Sequence, residues 1–279
     1  MAIETYLRVD SAEEAIRRMT EHAGRARFLA GGTDLLTGKP PDVVIDIRGL
    51  LSGVRRDGED MVIGATATIT EIGESEELAR ADGGLLRSCT RVFAHWQIRN
   101  AATLGGNIVN AVPCADLVPP LLVLDARCVL VGPEGSREEP LRSLFLGPKE
   151  SAVGDRLLTE VRFRVPSPGT RSAFLKVGVN DEGLAVVNAA VLLEMDGKTC
   201  RRARLSLNSV APTPIRVDEA EKELEGGPIT EERIERAAEI ARGVVRPISD
   251  QRAGAEYRTH MSAVLTRRVI RMALEGGEA

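Results

Sequence analysis

Two glycine clusters carry the clearest chemistry in this sequence: Ala30-Gly31-Gly32-Thr33-Asp34 and Thr103-Leu104-Gly105-Gly106-Asn107. Each follows an apolar run and ends in small polar side chains. Adjacent glycines let a backbone approach a ligand closely and supply positive φ where other residues are strained. Successive N–H groups in such a turn form an anion-binding nest. Two loops of the same Gly-Gly-polar shape read as two arms around an elongated anionic cofactor such as a dinucleotide. Neither has the G-x-G-x-x-G spacing of a Rossmann fingerprint, and neither has the Gly-Lys-Ser/Thr ending of a nucleoside triphosphate loop. A nucleotide held here therefore needs another kind of fold. The competing reading of each cluster is an ordinary tight turn.

Around these loops the sequence predicts short elements. Residues 5–9 read as a strand, and Ser11 with Glu14 has capping-box spacing ahead of Ala12, Ala15, Ile16 and Met19 at helical intervals. Gly24 ends that helix, residues 27–30 form a strand that delivers the chain to the first glycine pair, and residues 43–47 form another. Residues 61–65 and 66–69 read as strands, followed by helices at 72–79 and 84–93 that lead into the second loop. Residues 116–124 are apolar and buried, and 128–131 and 157–163 are strands. Pro166-Ser167-Pro168-Gly169 is the best internal boundary. Beyond it come strands at 185–193 and 204–210, then helices at 218–224, 231–244 and 263–274. The expected order is a small α/β piece, a mixed α+β piece and a C-terminal α+β domain.

Composition narrows the function classes. The chain has 279 residues, 37 basic and 41 acidic, for a net charge of −4. This near balance gives no general electrostatic reason to bind nucleic acid or an anionic membrane. The first seven residues contain an acid and no long apolar run, so they do not read as a signal peptide. No apolar stretch is long enough to cross a bilayer. Cys89, Cys114, Cys128 and Cys200 are scattered without a Cys-x-x-Cys pair, so disulfides and an iron–sulfur cluster in this chain are not expected. His22, His95 and His260 are too few for a histidine-rich metal site. A cytoplasmic location is the default expectation.

Both loops, with Gln97-Ile98-Arg99-Asn100, Ala115-Asp116-Leu117-Val118-Pro119-Pro120, Ala211-Pro212-Thr213-Pro214 and Ala255-Glu256-Tyr257-Arg258, resemble the FAD-binding medium subunit of molybdenum hydroxylases. That group includes the flavin subunits of xanthine dehydrogenase, aerobic carbon monoxide dehydrogenase and nicotinate dehydrogenase. The motifs run in the same order along almost the whole chain. The resemblance implies an α+β architecture. By that resemblance, a vanillyl-alcohol-oxidase-type (PCMH-type) FAD-binding fold is expected over residues 1–168, in subdomains of about 1–54 and 55–168. Residues 169–279 are then expected to form a C-terminal α+β domain like that of the carbon monoxide dehydrogenase flavoprotein. It also implies noncovalent FAD, with molybdopterin in a large partner subunit and [2Fe-2S] clusters in a small one, assembled as a dimer of heterotrimers. Electrons then run from the clusters through FAD to an external acceptor. The rival readings are a self-contained FAD-dependent oxidase or dehydrogenase and a non-catalytic scaffold.

The resemblance assigns cofactor contacts to Ala30, Gly31, Gly32, Thr33, Asp34, Thr103, Gly105, Gly106, Asn107, Asp116 and Lys176. Asp34 repels a phosphate, so it is expected to order its loop instead. Asp116, at the edge of an apolar run, needs a partner. The resemblance supplies a ribityl or ribose hydroxyl, and a helix cap is the alternative. Lys176 corresponds to a lysine near the isoalloxazine that tunes the flavin, the alternative being a solvent-facing lysine on a strand. Relatives carry basic residues after it, whereas residues 177–182 here read Val-Gly-Val-Asn-Asp-Glu, which weakens the case for NAD as acceptor. Arg99 either holds the second loop or lies on the surface. His95 and Trp96 are expected to be a hydrogen-bonded histidine and a structural aromatic.

Overall fold

The computed structural model describes residues 3–37, 39–180 and 182–276. Met1 and Ala2 of the amino terminus, Gly38, Asp181 of the segment after Lys176, and residues 277–279 lie outside the described residues. Strand β1 (Thr5–Arg8), helix α1 (Ala12–Glu21), β2 (Ala26–Leu29) and β3 (Val43–Asp46) make a parallel sheet of order β1-β3-β2. Ser11 caps α1 by accepting from the Glu14 N–H, as its spacing predicts, and Ala15, Ile16 and Met19 bury the helix on the sheet. In a parallel sheet, ligands collect outside the carboxyl ends of the strands. The first glycine loop begins at that end of β2.

Strands β4 (Val54–Asp57) and β5 (Asp60–Gly64) open a second sheet, which is antiparallel. Helices α2 (Ile69–Glu74), α3 (Glu76–Asp82), α4 (Leu85–Arg91), α5 (Trp96–Arg99), α6 (Leu104–Val109) and α7 (Val118–Val123) follow. The sheet is completed by β6 (Arg127–Gly132), β7 (Gly135–Pro140) and β10 (Leu157–Arg164), in the order β4-β5-β10-β6-β7. The small hairpin of β8 (Phe145–Gly147) and β9 (Glu150–Ser151) precedes β10. Residues 66–69, expected as a strand, instead form the turn and N-cap that lead into α2 at Ile69. Thr68 caps α2 in a full capping box with Glu71, and local hydrogen bonding outweighs the β-branched composition. The helix expected at 72–79 is interrupted at Ser75, whose side chain caps α3.

The third sheet is an antiparallel meander, β11 (Thr170–Gly178), β12 (Ala185–Asp196), β13 (Thr199–Asn208) and β14 (Ile215–Arg216). Alternation gives it two distinct faces. Ala189, Val191, Leu193, Leu205 and Leu207 pack on α8 (Asp218–Leu224), α9 (Glu231–Val244) and α10 (Ala255–Glu275). Phe174, Ala190 and Leu192 join the core of the second sheet and its helices, so the meander closes one side of that layer. Arg258, from one of the sequence motifs, is fully buried at the root of α10. Its guanidinium donates to the carbonyls of Val186 and Ser209 and to Asp250.

Asp82 ends α3 beside the meander and is buried. Its carboxylate accepts from the Gly84 and Leu86 N–H groups at 2.9 Å each and so caps α4. Burial pushes its pKa up to about 6, while those N–H groups pull the other way. A carboxyl raised in the folded state favours folding while protonated, and that contribution is lost as pH rises through about 6. Asp82→Asn removes the titration. The stability of the native chain relative to the variant should fall by about 2 kcal/mol between about pH 4 and 7, measured by urea unfolding. Parallel pH profiles for the two proteins would refute the assignment.

Candidate functional site

Gly31 and Gly32 are required for different reasons. A Cβ on Gly31 would lie 2.1 Å from the Ala101 carbonyl oxygen, so the two loop-bearing segments touch backbone to backbone. Gly32 has φ of +71°, and a Cβ there would meet the side chains of Leu29 and Leu36. Among the described residues, the N–H groups of Gly31, Gly32, Thr33 and Asp34 donate to no acceptor in the chain. Asp34 orders the loop by accepting from Asn110 Nδ2 at 2.6 Å, which ties it to the far end of α6.

The second loop is built otherwise. Its glycines lie inside helix α6, which Thr103 caps by accepting the Gly106 N–H. The N–H groups of Leu104 and Gly105 go to the carbonyls of Ala67 and Ala65, and that of Asn107 to Thr103. Gly105 permits this docking, since a Cβ would approach the Ala65 oxygen to 2.9 Å. The backbone donors of this arm are therefore spent on the fold. What remains for a ligand is side-chain chemistry, notably Asn107 Nδ2, whose Oδ1 accepts from the Leu117 N–H.

Asp116 and Lys176 meet across the two parts of the chain. Lys176 Nζ donates to Asp116 Oδ2 at 2.7 Å, and the two side chains are only 5% and 4% exposed. Lys176 Nζ also donates to the Val92 carbonyl, and Asn188 Nδ2 donates to Asp116 Oδ1 at 2.8 Å. The partner that Asp116 needs is thus supplied inside the chain, and it does not cap α7, whose N-cap is Leu117. Lys176 is not a solvent-facing strand lysine. Burial pushes the Asp116 carboxyl up, and the Lys176 charge and the hydrogen bonds oppose the shift. Asn188 escaped the sequence reading, although an amide in the apolar strand 185–193 is the signal that marks it.

Residues 31–34 of the first arm, Thr103 and residues 105–107 of the second, Asp116 and Lys176 line one cavity of about 780 Å³, together with Phe93, Ile98, Leu184 and Lys149, whereas Asn188 lies behind it. That size falls within the range of cofactor pockets. Arg99 holds the approach to the second loop, donating to the carbonyls of Arg91, Phe93 and Ala94. His95 hydrogen-bonds Gln97. Trp96, expected as a structural aromatic, is 63% exposed, because α5 is a single turn with no buried face. Unpartnered N–H groups beside a polar and apolar cavity fit the diphosphate and ring of a dinucleotide.

Comparison with known proteins gives the same answer. Residues 1–168 match the FAD binding domain in molybdopterin dehydrogenase, and residues 172–273 match the CO dehydrogenase flavoprotein C-terminal domain. The chain belongs to the molybdopterin dehydrogenase flavoprotein family. It is 35% identical over 276 residues to the carbon monoxide dehydrogenase medium chain of Afipia carboxidovorans, covering 96% of each chain. It is 31% identical over 278 residues to the putative xanthine dehydrogenase FAD-binding subunit of Escherichia coli, covering 95% of this chain and 94% of that one. The structure superposes on carbon monoxide dehydrogenase from Hydrogenophaga pseudoflava with a TM-score of 0.95, at 29% identity and 99% coverage of both chains. The PCMH-type FAD-binding fold with its C-terminal α+β domain is therefore the architecture of this family member.

The two arms respond differently to added bulk. Gly31→Ala drives a Cβ into the Ala101 carbonyl and should cost about 2 kcal/mol or more in stability, since neither backbone yields cheaply. Gly106→Ala meets only the Thr103 hydroxyl at 3.0 Å and should shift stability by no more than about 1 kcal/mol. Denaturant unfolding of the two variants checks the contrast. Equal losses would mean that the close approach at Gly31 is not what joins the arms.

Proposed function

We propose that this flavoprotein holds one noncovalent FAD per chain and serves as the electron-transfer subunit of a molybdenum hydroxylase. In this reading electrons pass from [2Fe-2S] clusters through FAD to an external acceptor. The observation that carries it is the set of unpartnered N–H groups at Gly31, Gly32, Thr33 and Asp34, lining a cofactor-sized cavity in a chain of this family. Hydrogen bonds to charged acceptors are the strong ones, so these donors hold a pyrophosphate without a lysine. Thr103, Gly105, Gly106 and Asn107 form the opposite wall, and Ala30 leads into the first arm. The Asp116–Lys176 pair faces the ring end, where Lys176 tunes the flavin.

FAD, when bound, supplies the exchange between one- and two-electron chemistry, while the protein supplies position and electrostatics. The chain's own groups do the rest. The glycine arms bind the diphosphate, Asp34 and Asn110 keep them in register, and Lys176 presents a positive charge that Asp116 partly balances. The domain division at 1–168, with subdomains of about 1–54 and 55–168, and 169–279 belongs to the same proposal. So do a small [2Fe-2S] subunit, a large molybdopterin subunit, a dimer of heterotrimers and a cytoplasmic location. Among the described residues, no helix is long and apolar enough to cross a membrane.

The test begins with the full chain. It should purify with one FAD that acid or denaturant releases into the supernatant, and co-purification from the host should bring the two partner subunits. Turnover of an organic substrate by the isolated chain at the full complex's rate would favour the self-contained oxidase and end this proposal. Lys176→Met leaves the Asp116 carboxylate buried and unpaired, so stability should drop by about 3–5 kcal/mol at neutral pH. In the assembled complex the same variant should slow flavin reoxidation in rapid mixing while reduction of the molybdenum centre by substrate proceeds unchanged.

A further inference from the structure

We infer that Asn188 is a positioning residue for the flavin: it orients Asp116, and through Asp116 the Lys176 ammonium, and so sets the charge that the bound ring meets. The inference rests on the proposed reading that FAD occupies the cavity with its ring towards Lys176.

Lys176, Asn188 and Asn208 are direct cross-strand partners on β11, β12 and β13, so they form one polar row across an apolar sheet. The row grips consecutive residues of the segment before α7. Asn208 Nδ2 donates to the Ala115 carbonyl at 2.9 Å, and Asn188 Nδ2 donates to the Asp116 carboxylate at 2.8 Å. Both asparagines are fully buried, and both amide oxygens lack a donor among the described residues. A leucine of similar volume would avoid that unsatisfied oxygen. Whatever these amides contribute therefore comes from their donor ends, and the two donor ends touch different things. Asn208 holds a backbone carbonyl and nothing that carries charge. Asn188 holds one oxygen of a carboxylate whose other oxygen neutralises Lys176.

An ammonium has three donors. Two on Lys176 are engaged, by Asp116 and Val92, and the third finds no acceptor among the described residues although Lys176 lines the cavity. How much of the lysine charge reaches that cavity depends on how firmly Asp116 stays against it. Asn188 fixes the carboxylate plane by occupying the oxygen that Lys176 leaves free. Without it, the carboxylate is held at one end only and balances the ammonium less well. The cavity becomes more positive, which favours the electron-rich, reduced cofactor.

The test compares the full wild-type chain with Asn188→Leu and Asn208→Leu, each loaded with FAD and equilibrated with a redox dye. At a fixed ambient potential the reduced-to-oxidised flavin ratio of Asn188→Leu should rise at least about threefold, less than the full worth of a hydrogen bond to a charged group because the change reaches the ring only through Asp116 and Lys176. Asn208→Leu should lose comparable stability yet keep the wild-type ratio. A second readout needs no cofactor: acylation of Lys176 in the FAD-free chain, followed by peptide mass spectrometry. It should be several-fold faster in Asn188→Leu than in wild type or Asn208→Leu. If the leucine variant does not fold, Asn188→Ser, too short to reach Asp116, takes its place in both measurements. Failure of wild type to bind FAD would strike the proposed function, and the acylation rates would still decide whether Asn188 holds the pair. An unchanged flavin ratio, an equal shift in Asn208→Leu, or identical acylation rates would overturn the inference.

Discussion

The contact between Gly31 and the Ala101 carbonyl governs how this molecule is joined. A missing side chain lets the turn after β2 lie directly on the segment that enters α6, where any Cβ would come within 2.1 Å of an oxygen. That approach brings Asn110 to Asp34 and leaves four consecutive residues of the first arm with N–H groups unspent. Buried or half-buried donors normally find acceptors. Those of Gly31, Gly32 and Thr33 are half-buried and face the cavity without one, while the backbone donors of the second arm are consumed in docking to residues 65–67 and in its own cap.

The ion pair on the other side of the cavity obeys a different constraint. Removing two charges from water costs several kcal/mol per ion, about what a good contact returns, so such pairs are weak stabilisers in general. Lys176 and Asp116 survive burial because the Val92 carbonyl and the Asn188 amide satisfy part of what the pair leaves open. The carboxylate belongs to the segment before α7 and the ammonium to β11. Each therefore keeps its water until the meander docks, and the cavity acquires its charge pattern only in the assembled chain.

Much of the architecture was legible in local pattern. Ser11 and Glu14 marked the start of α1, and α8 and α9 lie where their apolar spacing placed them, at Asp218–Leu224 and Glu231–Val244. Local signals failed where two of them competed. Thr66, Thr68 and Ile69 look strand-like, yet Thr68 and Glu71 form a capping box, and the cap decided. Gly105 and Gly106 disfavour helix by propensity, and tertiary docking on Ala65 and Ala67 made them helical anyway. Strand β7, Gly-Ser-Arg-Glu-Glu-Pro, is a polar sheet edge with almost no apolar signature. At the site, the glycine loops announced themselves, whereas the division of labour between them did not. Which N–H groups stay free depends on long-range partners that no spacing reveals. The Lys176–Asp116 pairing was hidden for the same reason, and Asn188 was visible only as an amide out of place in an apolar strand.

The pairing of β5 with β10 has a consequence for how the chain emerges from the ribosome. These neighbours in the sheet are far apart in sequence: Arg55, at the β4 edge, pairs with Glu160 at a separation of 105 residues. The parallel sheet and its glycine turn are complete before residue 50 has been followed by anything that could face them. Non-local pairings form late because the intervening loop must close first. For most of translation the nascent chain therefore displays half a cradle, with helices α2–α7 awaiting the strand that closes the sheet beneath them. Nascent domains in that state expose apolar surface and unpaired edges. The cavity, lined in part by Leu157 and Leu158, is complete only after synthesis of β10, and the meander, made later still, adds its charged end last.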